Sequence, residues 1–338
     1  MRKYNLDMFP EPDVQKLYAP VGVLVINPLV NEPFGVFEAK AVRAKGLYHR
    51  WGRIGIVLVV LSTLFTVAEA LVIPRIDGLR LMSAGMILLG VFGIAIQLYL
   101  LSARVKQTWL LNRFGAERVR SIKFQAFPLA ATAASADDLT ARVNAFYTAE
   151  ITRLNMELNG GEAALSTFSS ISAVKHLAAS PAAANAAIFG AAEEAYRDLR
   201  FKYQISFAQG EIQALKDAAR IVYTSSDLLY LLGAVLTVAA LASKVAFGHD
   251  AEHLSHWIDF LAVASFIGGL SKTILDNASL SETSQTRYEN YVQRLEEGDA
   301  ELKADGAGFS MVVRRIERTA LEELSEFCQQ ALRISYRL

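Results

Sequence analysis

Cysteine is almost missing: Cys328 stands alone in 338 residues, so no intramolecular disulfide can form. Proline is missing from the last 157 residues, since all eight prolines lie at or before Pro181. Excess charge is missing too: 34 basic residues face 34 acidic ones, so no strongly basic surface for nucleic acid is expected. The chain contains no Walker motif, GxGxxG, zinc-type cysteine pairing or nucleophile elbow. Gly160-Gly161 is not followed by a phosphate-binding lysine, and Ser169-Ser170 has no evident His/Asp partner. An enzyme and a cofactor are therefore not expected. A secretory signal is not expected either. The basic start is followed by Asp7, Pro10, Glu11 and Pro12, and the apolar Val21–Ile26 is too short for a signal core.

What the chain has in abundance is apolar sequence, 53% of its residues. It is concentrated in two hairpins. The first reads Ile54–Ile73, a turn at Pro74–Arg80, then Leu81–Leu101; the second reads Leu228–Phe247, a polar loop at Gly248–His256, then Trp257–Ile274. A helix of about 20 residues spans roughly 30 Å, the hydrocarbon thickness of a bilayer. A buried helix of a soluble protein normally shows a polar face, whereas Leu81–Ile96 offers only Ser83. The expected fold is an all-α membrane protein with four spans and long cytoplasmic helices. Lys40, Arg43, Lys45, Arg50 and Arg53 precede the first hairpin, and Arg104, Lys106, Arg113, Arg118, Arg120 and Lys123 follow it. Lys and Arg mark the cytoplasmic side, so both termini are expected there.

Polar residues in the spans are few. Glu69, Lys244 and Asp259 fall near the outer ends and read either as an outer pore vestibule or as a Lys244–Asp259 pair with snorkelling. Gln97, grouped with the same pore candidates, and Lys272 fall toward the cytoplasmic end. No charge falls at mid-membrane, which argues against a proton-relay pump. His249, His253 and His256 share the second outer loop; a solvated loop, a Zn²⁺ site and a pH response are the three readings. Gly90 with Gly93, Ala264 with Gly268, and Ser265 with Gly269 give small faces for close helix packing.

The hairpins repeat. Ala44–Tyr48 and Ala219–Tyr223 precede them at an offset of 175, and Arg113-Phe114 and Arg287-Tyr288 follow at 174. An even number of spans per copy makes the repeat parallel rather than inverted. Outside the hairpins the sequence predicts a helix over Ala136–Leu158 capped by Ser135 and stopped at Gly160-Gly161. A second helix is predicted over Ala182–Ser226, with Ser180 and Pro181 at its start and Gly190 and Gly210 as weak points. A last helix follows a break at Asp305–Gly308, with an apolar stripe of Val312, Val313, Ile316, Ala320, Leu324, Phe327 and Ala331. Five prolines before residue 35 predict an irregular start with a short strand at Val21–Ile26. The division expected is an irregular segment 1–33, a first hairpin unit 34–125, a helical insert 126–189 and a second hairpin unit 190–338.

The flanks of the hairpins carry a pattern: Trp109, Arg113, Ala116-Glu117 and Arg120 after the first; Tyr196, Arg200, Gln204 and Phe207, then Ala219-Arg220 and Tyr223, before the second; and an acidic-aromatic end at Glu322–Phe327. This resembles the SLATT superfamily, the SMODS- and SLOG-associating two-transmembrane effector domains of bacteria, in two tandem copies over 34–125 and 190–335. The chain departs from it at Asn290-Tyr291, where Ala-Glu would stand, and in the insert. The resemblance implies an antiphage effector of the bacterial inner membrane that oligomerises and permeabilises the bilayer on a cytoplasmic signal. A separately encoded nucleotide-signal sensor, or the insert, would receive that signal. Two other readings stand beside it: a non-conducting scaffold that recruits partners through its cytoplasmic helices, and a small-solute transporter.

Overall fold

A computed structural model describes residues 5–71, 80–159, 185–247, 252–277, 281–304 and 308–333. Among the described residues every regular element is helical and none is a strand. The α-helices are α1 (Pro12–Leu17), α2 (Gly22–Val25), α3 (Pro28–Leu71), α4 (Arg80–Ser102), α5 (Val105–Gln125) and α6 (Ala136–Leu158), followed by α7 (Ala186–Tyr196), α8 (Tyr203–Phe247), α9 (Glu252–Asn277), α10 (Ser281–Lys303) and α11 (Phe309–Arg333). The described residues group into two compact units. One, the network unit, draws on Met1–Ala44, Gln107–Ala214 and Thr283–Leu332; the other, the hairpin unit, draws on Lys45–Lys106 and Leu215–Glu282.

The proline-rich start is not irregular, and the strand expected at Val21–Ile26 is a 3-10 turn (Ala19–Val21) running into α2. Pro20 sits in the first turn of that helix, where its missing N–H costs nothing. Val21, Leu24 and Val25 are all fully buried, and i, i+3, i+4 is the spacing of a helix face rather than a strand. Pro33 likewise lies inside α3, close to its start. There the Asn27 side chain accepts from the Leu29 N–H at 3.0 Å and caps the helix.

In the hairpin unit α3 and α4 approach closely through glycine. A Cβ on Gly93 would stand 2.8 Å from the Gly55 carbonyl oxygen, and one on Gly90 would stand 2.5 Å from Ser62 Oγ. The Gln97 amide donates to the Gly52 carbonyl at 3.2 Å, fastening the same pair. In α8 and α9, Gly233 takes the Phe266 ring and Gly269 takes the Tyr230 ring, each 3.1 Å from where a Cβ would sit. The Gly90/Gly93 and Ser265/Gly269 faces are thus packing faces. Among the described residues two stretches, Ala19–Ala70 and Gly85–Ser102, are long and apolar enough to cross a membrane, and Leu228–Ala239 is apolar over a shorter run. Only 17% and 11% of the two apolar windows is buried inside the protein, whereas a core helix of a soluble domain is mostly buried.

Ser135 caps α6 as expected, its Oγ accepting from the Asp138 N–H at 3.1 Å. The helix ends at Leu158; the Gly160-Gly161 stop, like Ser180 and Pro181, lies outside the described residues. The next described helix opens at Asn185, whose Oδ1 accepts from Ala187 and Ile188. Gly190 and Gly210 leave it unbroken; the irregularity is a π-helical turn at Arg197–Lys202. That wider turn lies in the core, where Leu199, Arg200 and Phe201 are all buried. Phe124, Phe127, Tyr196, Phe201 and Phe309 cluster there, with ring centroids 5.4–5.8 Å apart. In α11 the expected stripe faces this core: Val312, Val313, Ile316, Leu324 and Ala331 are buried.

Candidate functional site

Helix α5 has a polar sequence, yet Arg118, Arg120, Ser121, Lys123 and Gln125 are all buried in its second half. Burying a charge is costly unless it is paired and hydrogen-bonded, so each of these side chains raises the question of its partner.

The partners form a chain across the network unit. Arg113 sits between Glu38 of α3 (3.0 Å) and Glu117 one turn on (2.5 Å). Arg120 holds Glu117 through Nη1 at 2.6 Å and Asp7 through Nε at 2.9 Å, and its guanidinium lies 5.0 Å over the Phe34 ring. Asp7 Oδ2 also accepts from the Gln204 amide of α8 at 2.8 Å. Arg200, on the π turn, forks onto both oxygens of Glu317 at 2.7 and 3.0 Å, and stacks 4.9 Å over Phe124. Glu317 accepts further bonds from the Tyr196 hydroxyl (3.4 Å) and from Ser121 of α5. Beside this chain Arg287 of α10 pairs with Glu323 at 2.7 Å and lies 4.5 Å over Phe327, against which Trp109 packs edge-on.

The electrostatics follow from the geometry. Burial acts to raise the Glu117 carboxyl, but Arg113 and Arg120 on either side hold it down at about 2. Burial acts to lower Arg200, and Glu317 outweighs it, so the guanidinium stays charged. Burial raises Glu317 against the opposing pull of Arg200, Ser121 and Tyr196. Arg118 is the poorly served member: its Nη2 is 3.9 Å from Glu157, and its buried Nε and Nη1 have no hydrogen-bond partner.

Lys123 is fully buried, and its amine meets backbone carbonyls: Asp7 at 2.5 Å and Val25 at 2.7 Å. A neutral amine has two N–H bonds, enough for both. Burial brings its pKa from 10.5 down to about 7. Between those two values the unfolded lysine carries a proton that the folded one does not, so stability rises with pH across that window. At about 1.4 kcal/mol per pKa unit the effect amounts to several kcal/mol. The unfolding midpoint of the detergent-solubilised chain is expected to climb from pH 7 to 9, and Lys123→Met is expected to flatten the climb; equal slopes in both would refute this assignment.

The structure brings together six of the seven family-pattern residues directly or through shared partners: Arg113, Glu117, Arg120, Tyr196, Arg200 and Gln204. Trp109 packs at its edge. Of the span residues, Gln97 fastens α3 to α4. Glu69 and Asp259 are half-buried in α3 and α9, and the Lys244 side chain lies outside the described residues. His249 also lies outside them. Helix α9 begins at Glu252, so His253 and His256 are helical rather than in a loop. Among the described residues no three His, Cys, Asp or Glu side chains gather as metal ligands. Asp7, Glu38, Lys123 and Glu317 are not evident as site residues from the sequence. Glu317 left one signal: it falls on the apolar stripe of α11, four residues after Val313 and three before Ala320. Comparison with known protein families, curated proteins and solved structures gives no match.

Proposed function

We propose that this chain is a membrane effector of a bacterial conflict system. Four spans, arranged as two parallel-repeat hairpins, oligomerise and permeabilise the inner membrane on a cytoplasmic signal. Both termini lie in the cytoplasm. The observation that carries the reading is the convergence of the SLATT-like pattern residues from both halves of the chain in one buried network, Arg113–Glu117–Arg120–Asp7–Gln204 beside Arg200–Glu317. Helix dimensions support the duplication. α4 and α9 end 175 residues apart, at Ser102 and Asn277. α5 and α10 are 21 and 23 residues long. The low burial of the apolar helices supports a bilayer as their surroundings.

On this reading the chain acts by conformation rather than by catalysis. A separately encoded sensor delivers the signal. Induced expression in bacteria carrying a potential-sensitive dye is expected to depolarise the inner membrane. A membrane filled with the protein that keeps its potential, with its sensor partner co-expressed, would sink the reading.

A further inference from the structure

We propose that the turn carrying Asp7 is a releasable latch between the helix that leaves the first hairpin, α5, and the helix that leads into the second, α8. Its consequence at the membrane rests on the effector reading; the latch itself rests on geometry alone.

Asp7 is fully buried, and one oxygen, Oδ2, faces both helices: it accepts from Gln204 Nε2 at 2.8 Å and lies 2.9 Å from Arg120 Nε as an ion pair without a hydrogen bond. The other oxygen, Oδ1, is buried with no hydrogen-bond partner. A carboxylate stripped of water and left half-bonded is a poor device for stability; an apolar side chain of that size would serve a static core better. What it does supply is a connection that can be made or broken as a unit.

The surroundings fit release. Arg120 keeps both oxygens of Glu117 on Nη1 when Asp7 leaves, so opening strands no cation. The rest of the turn is held mainly by polar contacts: Asn5 Oδ1 on Arg120 Nη2, Lys123 on the Asp7 carbonyl, and Asn31 on the Met8 carbonyl. Phe9 is 45% exposed, with one ring contact to Phe34 at 5.9 Å, and Met8 is the buried apolar side chain of the turn. Beyond Pro10 the segment is fixed by Tyr18, Val21, Leu24 and Val25, all buried. Residues 5–9 thus swing out while α1 and α2 stay docked.

Hydrogen–deuterium exchange on the full chain in detergent tests this. Asp7→Asn keeps the shape and removes the charge; Gln204→Leu cuts only the α8 side. Exchange over residues 5–11 is expected to rise at least tenfold in both, with α6 (136–158) unchanged. Unchanged exchange at 5–11, or an equal rise in α6, would overturn the latch. Depolarisation is read in the same variants in cells, where Asp7→Asn is expected to act at lower expression than the parent. Faster exchange without depolarisation upholds the latch and sinks the effector reading. Depolarisation by parent and variant alike, with exchange unchanged, sinks the latch and leaves the effector reading standing.

Discussion

Arg200→Met is expected to destabilise the network unit by about 3–5 kcal/mol, the usual cost of removing one member of a buried ion pair. The loss is large because of what stays behind. Glu317 has no exposed surface, and without the guanidinium it retains only the hydroxyls of Tyr196 and Ser121. Desolvation then drives its carboxyl to hold a proton. A carboxyl whose folded pKa is raised supplies its full stability below the unfolded pKa and loses it as pH rises through the folded value. The Arg200→Met variant should therefore recover on mild acidification, when the proton supplies the missing charge balance. Replacing both residues, Arg200→Met with Glu317→Met, should restore most of the loss, since two apolar side chains leave no orphaned charge. Chemical denaturation of the detergent-solubilised chain, followed by circular dichroism, reads all three. A double variant no more stable than the single one would show that the pair supplies shape rather than charge compensation.

Gly93→Ile should separate α3 from α4. The added Cβ meets the Gly55 carbonyl oxygen and Val59 Cγ2, both at 2.8 Å, and Leu58 Cβ at 3.1 Å. Backbone and branched neighbours cannot fold away as a flexible side chain would. Overpacking of this kind costs about 1–3 kcal/mol, and a helix pair joined through small residues has little else to hold it in lipid. The control lies on the same helix: Gly85 has nothing within 4 Å of its Cβ direction. Gly85→Ile should leave the thermal midpoint near that of the parent while Gly93→Ile lowers it. Equal shifts in the two would mean that isoleucine in α4, rather than the closeness of the helices, sets the effect.

Much of the architecture is legible in the sequence because it depends on local signals. The apolar runs give α4 and the inner part of α3; Ser135 before Ala136 gives the start of α6; the stripe from Val312 to Ala331 gives the buried face of α11. The proline-rich start misleads because Pro20 and Pro28 lie in first turns, where proline is tolerated, and α3 continues through Pro33. The π turn at Arg197–Lys202 leaves no local signal to read, since no proline or glycine marks it. The network is legible on one side alone. Its arginines stand in a regular pattern, but their carboxylates, Asp7, Glu38 and Glu317, come from 75 to 117 residues away in the chain. Nothing local distinguishes those three from the other acids.

The network unit is assembled from three separated stretches of chain, and this fixes an order of events during synthesis. The first hairpin has emerged, with Arg113 and Arg120 beside it, before the ribosome reaches Gln204. Arg200 is made 117 residues before Glu317 can neutralise it. Long-range contacts of this kind form late. Closure of the charge network therefore waits for the last helix. Chain termination before α11 should yield a protein in which Arg200 never meets the carboxylate that neutralises it.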